Sequence, residues 1–229
     1  MPSPNRNVRQ QAAGLTVAKI LLDIKAVNFR PQEPYKLTAG WASAVYIDCR
    51  KLISFPKERQ TVTALAKAEI LESVGAGKFD TVAGGETAGI PYAAWISDAL
   101  NVPMQYVRKK PKGFGRMAQI EGELTEGQRV VLVEDLASDG GSKVLFVKAL
   151  RDAGAVCEDC LVVFFYGAFP GALESLAQDN INLHYLCTWA DVIKVAEDGK
   201  YFPQDAIAGV KEFLKDPVAW SVAHGGKGT

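Results

Sequence analysis

The sequence predicts an α/β fold, a parallel sheet flanked by helices, from three observations. Between residues 79 and 187 short apolar runs alternate with segments of helical spacing, the order produced by strands joined through crossover helices. Two of those runs, VVLV at 130–133 and LVVFF at 161–165, are apolar without interruption, as strands are when helices cover both faces of their sheet. Of the 229 residues, 48% are hydrophobic, enough for one full core, so one domain over residues 1–215 and a tail over 216–229 are expected.

The elements follow in order. Residues 7–27 place Val8, Leu15, Ile20, Leu22 and Ile24 at helical spacing, with Asn7 as the cap. VYID at 45–48 reads as a short strand, and residues 55–74 as a second helix that Gly75 stops. Next come a strand at 79–83, a glycine turn, a helix at 91–100, and strands at 104–107 and 129–133. A helix at 142–153 and a strand at 156–165 follow, then a helix at 171–177, a strand at 182–187, and a helix at 203–214 opened by Pro203. Two stretches break the alternation. KKPKGFGRMAQ at 109–119 has little to bury and reads as a mobile surface loop, while HGGKGT at 224–229 reads as disordered.

Lys plus Arg and Asp plus Glu both total 26, so no global field gathers nucleic acid or an anionic membrane surface, and neither is expected as a partner. With no apolar run of about 18 residues and no signal core after MPSPNRNVRQQ, a cytoplasmic location is expected. Four cysteines are too few for a disulfide scaffold and read as thiols. Cys157, Cys160, His184 and Cys187 have zinc-like spacings, but residues three apart on a strand point to opposite faces. Buried thiols and a satisfied histidine are the preferred reading.

Chemistry concentrates in VVLVEDLASDGGSK at 130–143. A buried strand ends in Glu134 and Asp135, and a glycine turn then opens a helix, which places reactive groups at the carboxyl end of a parallel strand. The backbone amides of residues 138–142, the Ser138 hydroxyl and the helix start form a nest for a phosphate. Carboxylates one ribose away suit its hydroxyls and help hold Mg²⁺ directly or through water.

This segment resembles the PRPP-binding motif of the phosphoribosyltransferase family: four apolar residues, two acidic ones and a glycine-rich turn. Three further segments resemble the orotate type of that family. VAGGETAGIP at 82–91 is similar to its pyrophosphate loop, YVRKKPKGFGRMAQIEG at 106–122 to its catalytic loop, and YKLTAGWASAVYIDCR at 35–50 to its N-terminal segment. The resemblance covers about residues 7–187. It implies the type I phosphoribosyltransferase fold with a small N-terminal hood, about 7–50 plus C-terminal elements. The implied activity is transfer of ribose 5-phosphate from PRPP to orotate with Mg²⁺, in a homodimer with shared active sites.

By the same resemblance, PRPP is held by Glu86 and Thr87, by Arg108, by the acidic pair Glu134 and Asp135, and by the turn of Ser138, Asp139, Gly140, Gly141 and Ser142. Lys109, Lys112 and Asp135 take the catalytic positions, with Asp135 the candidate Mg²⁺ ligand. Thr38, Tyr46, Ile47 and Tyr166 line the base. The sequence also departs from the pattern. Asp139 stands where a small or hydroxylated residue is usual, so it is expected to point outward and cap the helix. Phe114 replaces a histidine, leaving Arg116 for that contact, and Ala39 and Ala44 replace serine and proline. FFYGAFPGA at 164–172 lacks the arginine that binds the orotate carboxylate, a task left to backbone amides, Lys36 or Tyr166. Two alternatives stand beside this reading: transfer to another base, and a non-catalytic PRPP-sensing module, against which the basic loop argues.

Overall fold

The computed structural model describes residues 6–37, 39–113, 119–138 and 140–228. Its centre is a six-stranded sheet of β5 (Thr81–Gly85), β6 (Met104–Val107), β7 (Ile120–Glu121), β8 (Arg129–Ala137), β9 (Val156–Phe165) and β10 (Asn182–Thr188). The strand order is β10-β9-β8-β5-β6-β7. All neighbours run parallel except the β6–β7 pair, which is antiparallel and closes the edge.

Helices cover both faces, which is why the central strands are apolar throughout. One face carries α1 (Val8–Asp23), α2 (Pro56–Ile70), α3 (Gly89–Leu100) and α6 (Trp189–Asp198), around a core that includes Leu21, Ile70, Ile96, Val133, Leu161 and Trp189. The other carries α4 (Gly141–Asp152) and α5 (Ala172–Gln178), whose Phe146, Leu150 and Leu176 meet Leu132, Cys160 and Val162. Two small ribbons form the hood beside this body. β1 (Val27–Phe29) pairs antiparallel with β4 (Val45–Ile47), and β2 (Tyr35–Lys36) with β3 (Ala42–Ser43).

Local signals account for most boundaries. Asn7 accepts from Gln10 N at 2.9 Å and Gln10 answers in a capping box, starting α1 where expected. Pro56 opens α2, which runs into a π turn over Leu71–Gly75 that ends on Gly75 at φ +106°. The helix expected from Pro203 is α7 (Gln204–Lys215), with Pro203 as its cap.

Three expectations change. α6 lies where no helix was read; its start is fixed by a capping box between Thr188 and Asp191 and by an Arg6–Asp191 ion pair. Residues 217–228 are not a loose tail: they form α8 (Pro217–Ala223) and then turn back so that Lys227 N donates to Gly40 O at 2.9 Å. Strand alternation also does not separate Cys157 from Cys160. β9 bulges against β8, with Arg129 opposite Val156 but Val131 opposite Asp159, so both cysteines face the α4 side. The four thiols are nonetheless free and buried, and His184 Nε2 sits 2.8 Å from Asp159 Oδ1. No helix among the described residues is long and apolar enough to cross a membrane.

Candidate active site

A cavity of about 750 Å³ opens at the carboxyl ends of β5, β8 and β9, with the hood as its far wall. It brings together Tyr46 and Ile47 from the hood, Glu86 and Thr87 after β5, and Lys109 after β6. Glu134, Asp135, Ser138 and Ser142 come from β8 and its turn, and Tyr166 follows β9. Strand ends of a parallel sheet converge at such a place because each crossover returns the chain to the opposite end.

Strand alternation splits the acidic pair. Glu134 turns toward α4 and is nearly buried, its Oε2 3.3 Å from Lys143 Nζ. Its Oε1 is packed against the backbone of Gly85 and Gly89, where a Cβ on either glycine would collide with it. Burial pushes the Glu134 carboxyl up to about 7, with Lys143 drawing it back and Asp135 raising it further. Asp135 turns toward the hood and is half-buried; desolvation raises its pKa while Lys143 opposes the rise. Of the two, Asp135 offers the freer oxygen atoms to a ligand.

The turn that follows has Gly140 at φ +82°, in the left-handed region that favours glycine, and α4 begins directly after it. Ser138 and Ser142 are exposed at its mouth. Beneath it, Lys143 Nζ donates to Leu136 O and lies 3.2 Å from Ser142 Oγ, so one ammonium ties the strand end to the helix start. Asp139 lies outside the described residues, as do Thr38, Phe114 and Arg116.

On the other side of the cavity, the Glu86–Thr87 peptide is cis, and Glu86 Oε2 accepts the Lys109 amide at 2.7 Å. Glu86 therefore ties the β5 turn to the root of the basic loop. Arg108 turns away from the cavity toward Glu121, at 3.4 Å. Its main chain closes the loop's base, with Arg108 N donating to Gln119 O at 2.8 Å and Gln119 Nε2 to Arg108 O at 3.0 Å. Lys109 lines the cavity; Lys112 is exposed and does not.

The hood wall is aromatic. Tyr46 lies 5.3 Å from Tyr35, and Trp41 stacks on Phe169 at 4.3 Å. Tyr166 is buried, with its hydroxyl 2.6 Å from Ser43 Oγ and donating to Val45 O at 3.1 Å. That hydroxyl is engaged with the hood, so Tyr166 offers the cavity its ring.

Several residues at the cavity wall had no assigned role in binding or catalysis. Arg50 pairs with Asp48 at 2.7 Å on the turn after β4, and Tyr92 Oη holds that turn through Cys49 O at 2.6 Å. Trp41 and Phe169 contribute apolar surface to the same wall. Lys143 was within the motif but unassigned; the signal that could have found it is a lysine in a first helical turn, where the helix dipole disfavours a cation.

An acidic strand end, a glycine turn before a helix and a lysine-bearing loop around one cavity define the layout of a phosphoribosyltransferase. Comparison with known proteins agrees: residues 52–173 match the phosphoribosyl transferase domain. The orotate phosphoribosyltransferase of Cereibacter sphaeroides is 51% identical over 216 residues, which cover 94% of this chain and 93% of that one. That of Sinorhizobium fredii is also 51% identical, over 93% and 92% of the two chains. Among solved structures, the orotate phosphoribosyltransferase from Aeropyrum pernix superposes with TM-score 0.68 at 30% identity, covering 82% of this chain and 99% of that one. UMP synthase of Leishmania donovani superposes with TM-score 0.76 at 30% identity over 90% of this chain, which spans 43% of that longer protein. The chain belongs to the orotate phosphoribosyltransferases of the phosphoribosyl transferase family.

Proposed function

We propose that this chain transfers ribose 5-phosphate from PRPP to orotate, giving orotidine 5'-monophosphate and pyrophosphate. The observation that carries this reading is the convergence in one cavity of Asp135, the turn of Ser138 and Ser142, the Glu86–Thr87 loop and Lys109, opposite an aromatic wall that suits a flat base. In it, the turn residues Ser138, Gly140, Gly141 and Ser142 receive the 5-phosphate, Asp135 the ribose hydroxyls, and Thr87 with Lys109 the pyrophosphate. Glu134, turned toward α4 and paired with Lys143, lies beneath the turn. Tyr46, Ile47 and the Tyr166 ring face the base.

No covalent nucleophile is called for. Cys49 reaches the cavity wall, but burial first and the Asp135 charge second hold its thiol pKa well above the ordinary range, so it stays protonated. The protein supplies position, charge and exclusion of water.

Mg²⁺ fits this site as a partner of PRPP. Among the described residues no group of three or more ligating side chains could hold a metal alone, so Asp135 would contribute one ligand, directly or through water, with ligand oxygens completing the shell. Bound there, the ion would neutralise the departing pyrophosphate. We read the molecule as one domain and as a homodimer in which the loop at 109–119 reaches the partner's site. The exposure of Lys112 away from the cavity of its own subunit supports this.

Pyrophosphate release with PRPP, Mg²⁺ and a panel of orotate, uracil, adenine and hypoxanthine tests the reading. Release with orotate alone is expected. Release with a different base would move the assignment to that base, and PRPP binding without release would favour a sensing module.

A further inference from the structure

We propose that the C-terminal segment at 217–228 acts as a clasp that positions the base-binding wall of the cavity, and so sets affinity for the base without touching PRPP. The inference rests on the reading above, in which the hood side of the cavity receives the base.

α8 is a short helix held to the body by Ser221 through hydrogen bonds and by Trp220, whose ring packs edge-on against Phe213. Its single buried residue is Ser221, while Val222 is exposed. Ser221 Oγ accepts the Ala42 amide at 3.0 Å in a buried contact and donates to Lys227 O at 2.8 Å. The chain then folds back, Gly226 N donating to Ser221 O at 2.8 Å and Lys227 N to Gly40 O at 2.9 Å. Gly226 is needed for the approach, because a Cβ there would collide with Ala42 N and Ser221 Oγ. Gly40 and Ala42 flank Trp41, and the Lys227 ammonium sits 4.7 Å from the centre of its ring.

Trp41 in turn lines the cavity and stacks on Phe169, which lines it too. A second route runs from Phe169 through Phe213, at 5.9 Å, to Trp220 of α8, at 5.0 Å. The segment thus grips one wall from two directions. None of its residues lines the cavity. Its residues are therefore positioning residues, acting through Trp41 and Phe169.

The test uses full-length Gly226→Val and Ser221→Ala, with each substrate varied separately and with the base that the wild type turns over fastest. Gly226→Val should raise KM for the base about tenfold and Ser221→Ala about threefold, with KM for PRPP and kcat held within about twofold. Thermal melting should show both variants folded. If Gly226→Val does not fold, Ser221→Ala and Lys227→Met decide on the same readout. Unchanged KM for the base, or equal rises for base and PRPP, would overturn the clasp. Were orotate inert and another base active, the functional reading would fail while this test stood. If no base turned over, calorimetric binding of orotate to the same variants would read the same wall, with unchanged affinity overturning the proposal.

Discussion

Lys143 Nζ lies 3.3 Å from Glu134 Oε2, and both side chains are nearly buried, 6% and 8% exposed. A cation in the first turn of α4 opposes the helix dipole, so nothing local favours it there. Its contacts with Leu136 O, Glu134 and Ser142 explain its place: it braces both ends of the phosphate turn. Lys143→Met leaves Glu134 buried without its cation and, measured at about pH 9 where the wild-type carboxylate is ionised, is expected to cost about 3–5 kcal/mol in urea unfolding. Adding Glu134→Gln should recover a large part of that loss. A single variant within about 1 kcal/mol of wild type would show that the pair contributes little to the fold.

The pH dependence of stability carries the sign of Glu134. Its folded pKa, pushed up to about 7, exceeds the ordinary value of 4.5, so the folded protein binds this proton more tightly than the unfolded chain. The contribution is complete below about pH 4.5 and is lost as pH rises through 7. Glu134→Gln should therefore gain stability relative to wild type between pH 5 and pH 8, a trend that paired melting curves at those pH values would reveal. A constant difference between the two proteins would contradict it.

Asp135 faces the cavity from a strand end, so an isosteric amide should leave packing alone. Asp135→Asn is expected to melt near wild type and to lose about 1.5–3 kcal/mol of transition-state stabilisation, on the order of 10- to 150-fold in turnover. Turnover within about threefold of wild type would remove Asp135 from the ribose contact.

Tyr166 separates packing from binding. Its hydroxyl is held by Ser43 and Val45 O, out of reach of a carboxylate in the cavity. Tyr166→Phe should cost about 1–2 kcal/mol in unfolding while KM for the base changes by less than about threefold. A large rise in KM at unchanged stability would restore the hydroxyl to base recognition.

What could be read in advance follows from how local the cause is. The strand, carboxylates, turn and helix of residues 130–143 are set by their own residues, and β8 and α4 appear almost where they were expected. The direction in which Glu134 and Asp135 each point needed the partners of β8, since alternation alone does not say which face meets the hood. The bulge that turns Cys157 and Cys160 to one side arises between strands and leaves no mark in β9 alone. HGGKGT reads as loose because its glycines bury no side chain, yet Gly226 is wanted for that reason, to let two backbones meet. For Lys143 the sequence shows an unfavourable position in a first helical turn, and the contacts with Glu134 and Leu136 O that hold it there come from the fold.

The final prediction concerns which subunit each basic loop serves. Lys112 stands away from the cavity of its own chain, while Asp135 lies inside it. Lys112→Ala and Asp135→Asn should each lose at least about tenfold in turnover alone. If loops cross the interface, a hybrid dimer places both lesions in one site and leaves the other whole. Mixing equal amounts under conditions of subunit exchange should then return about a quarter of wild-type activity, since half the dimers are hybrids with one intact site. If each loop serves its own subunit, every site in the hybrid carries one lesion and no activity returns. Exchange confirmed by mass-labelled subunits, with no recovery, would confine the loop to its own active site and leave the assignment of Asp135 untouched.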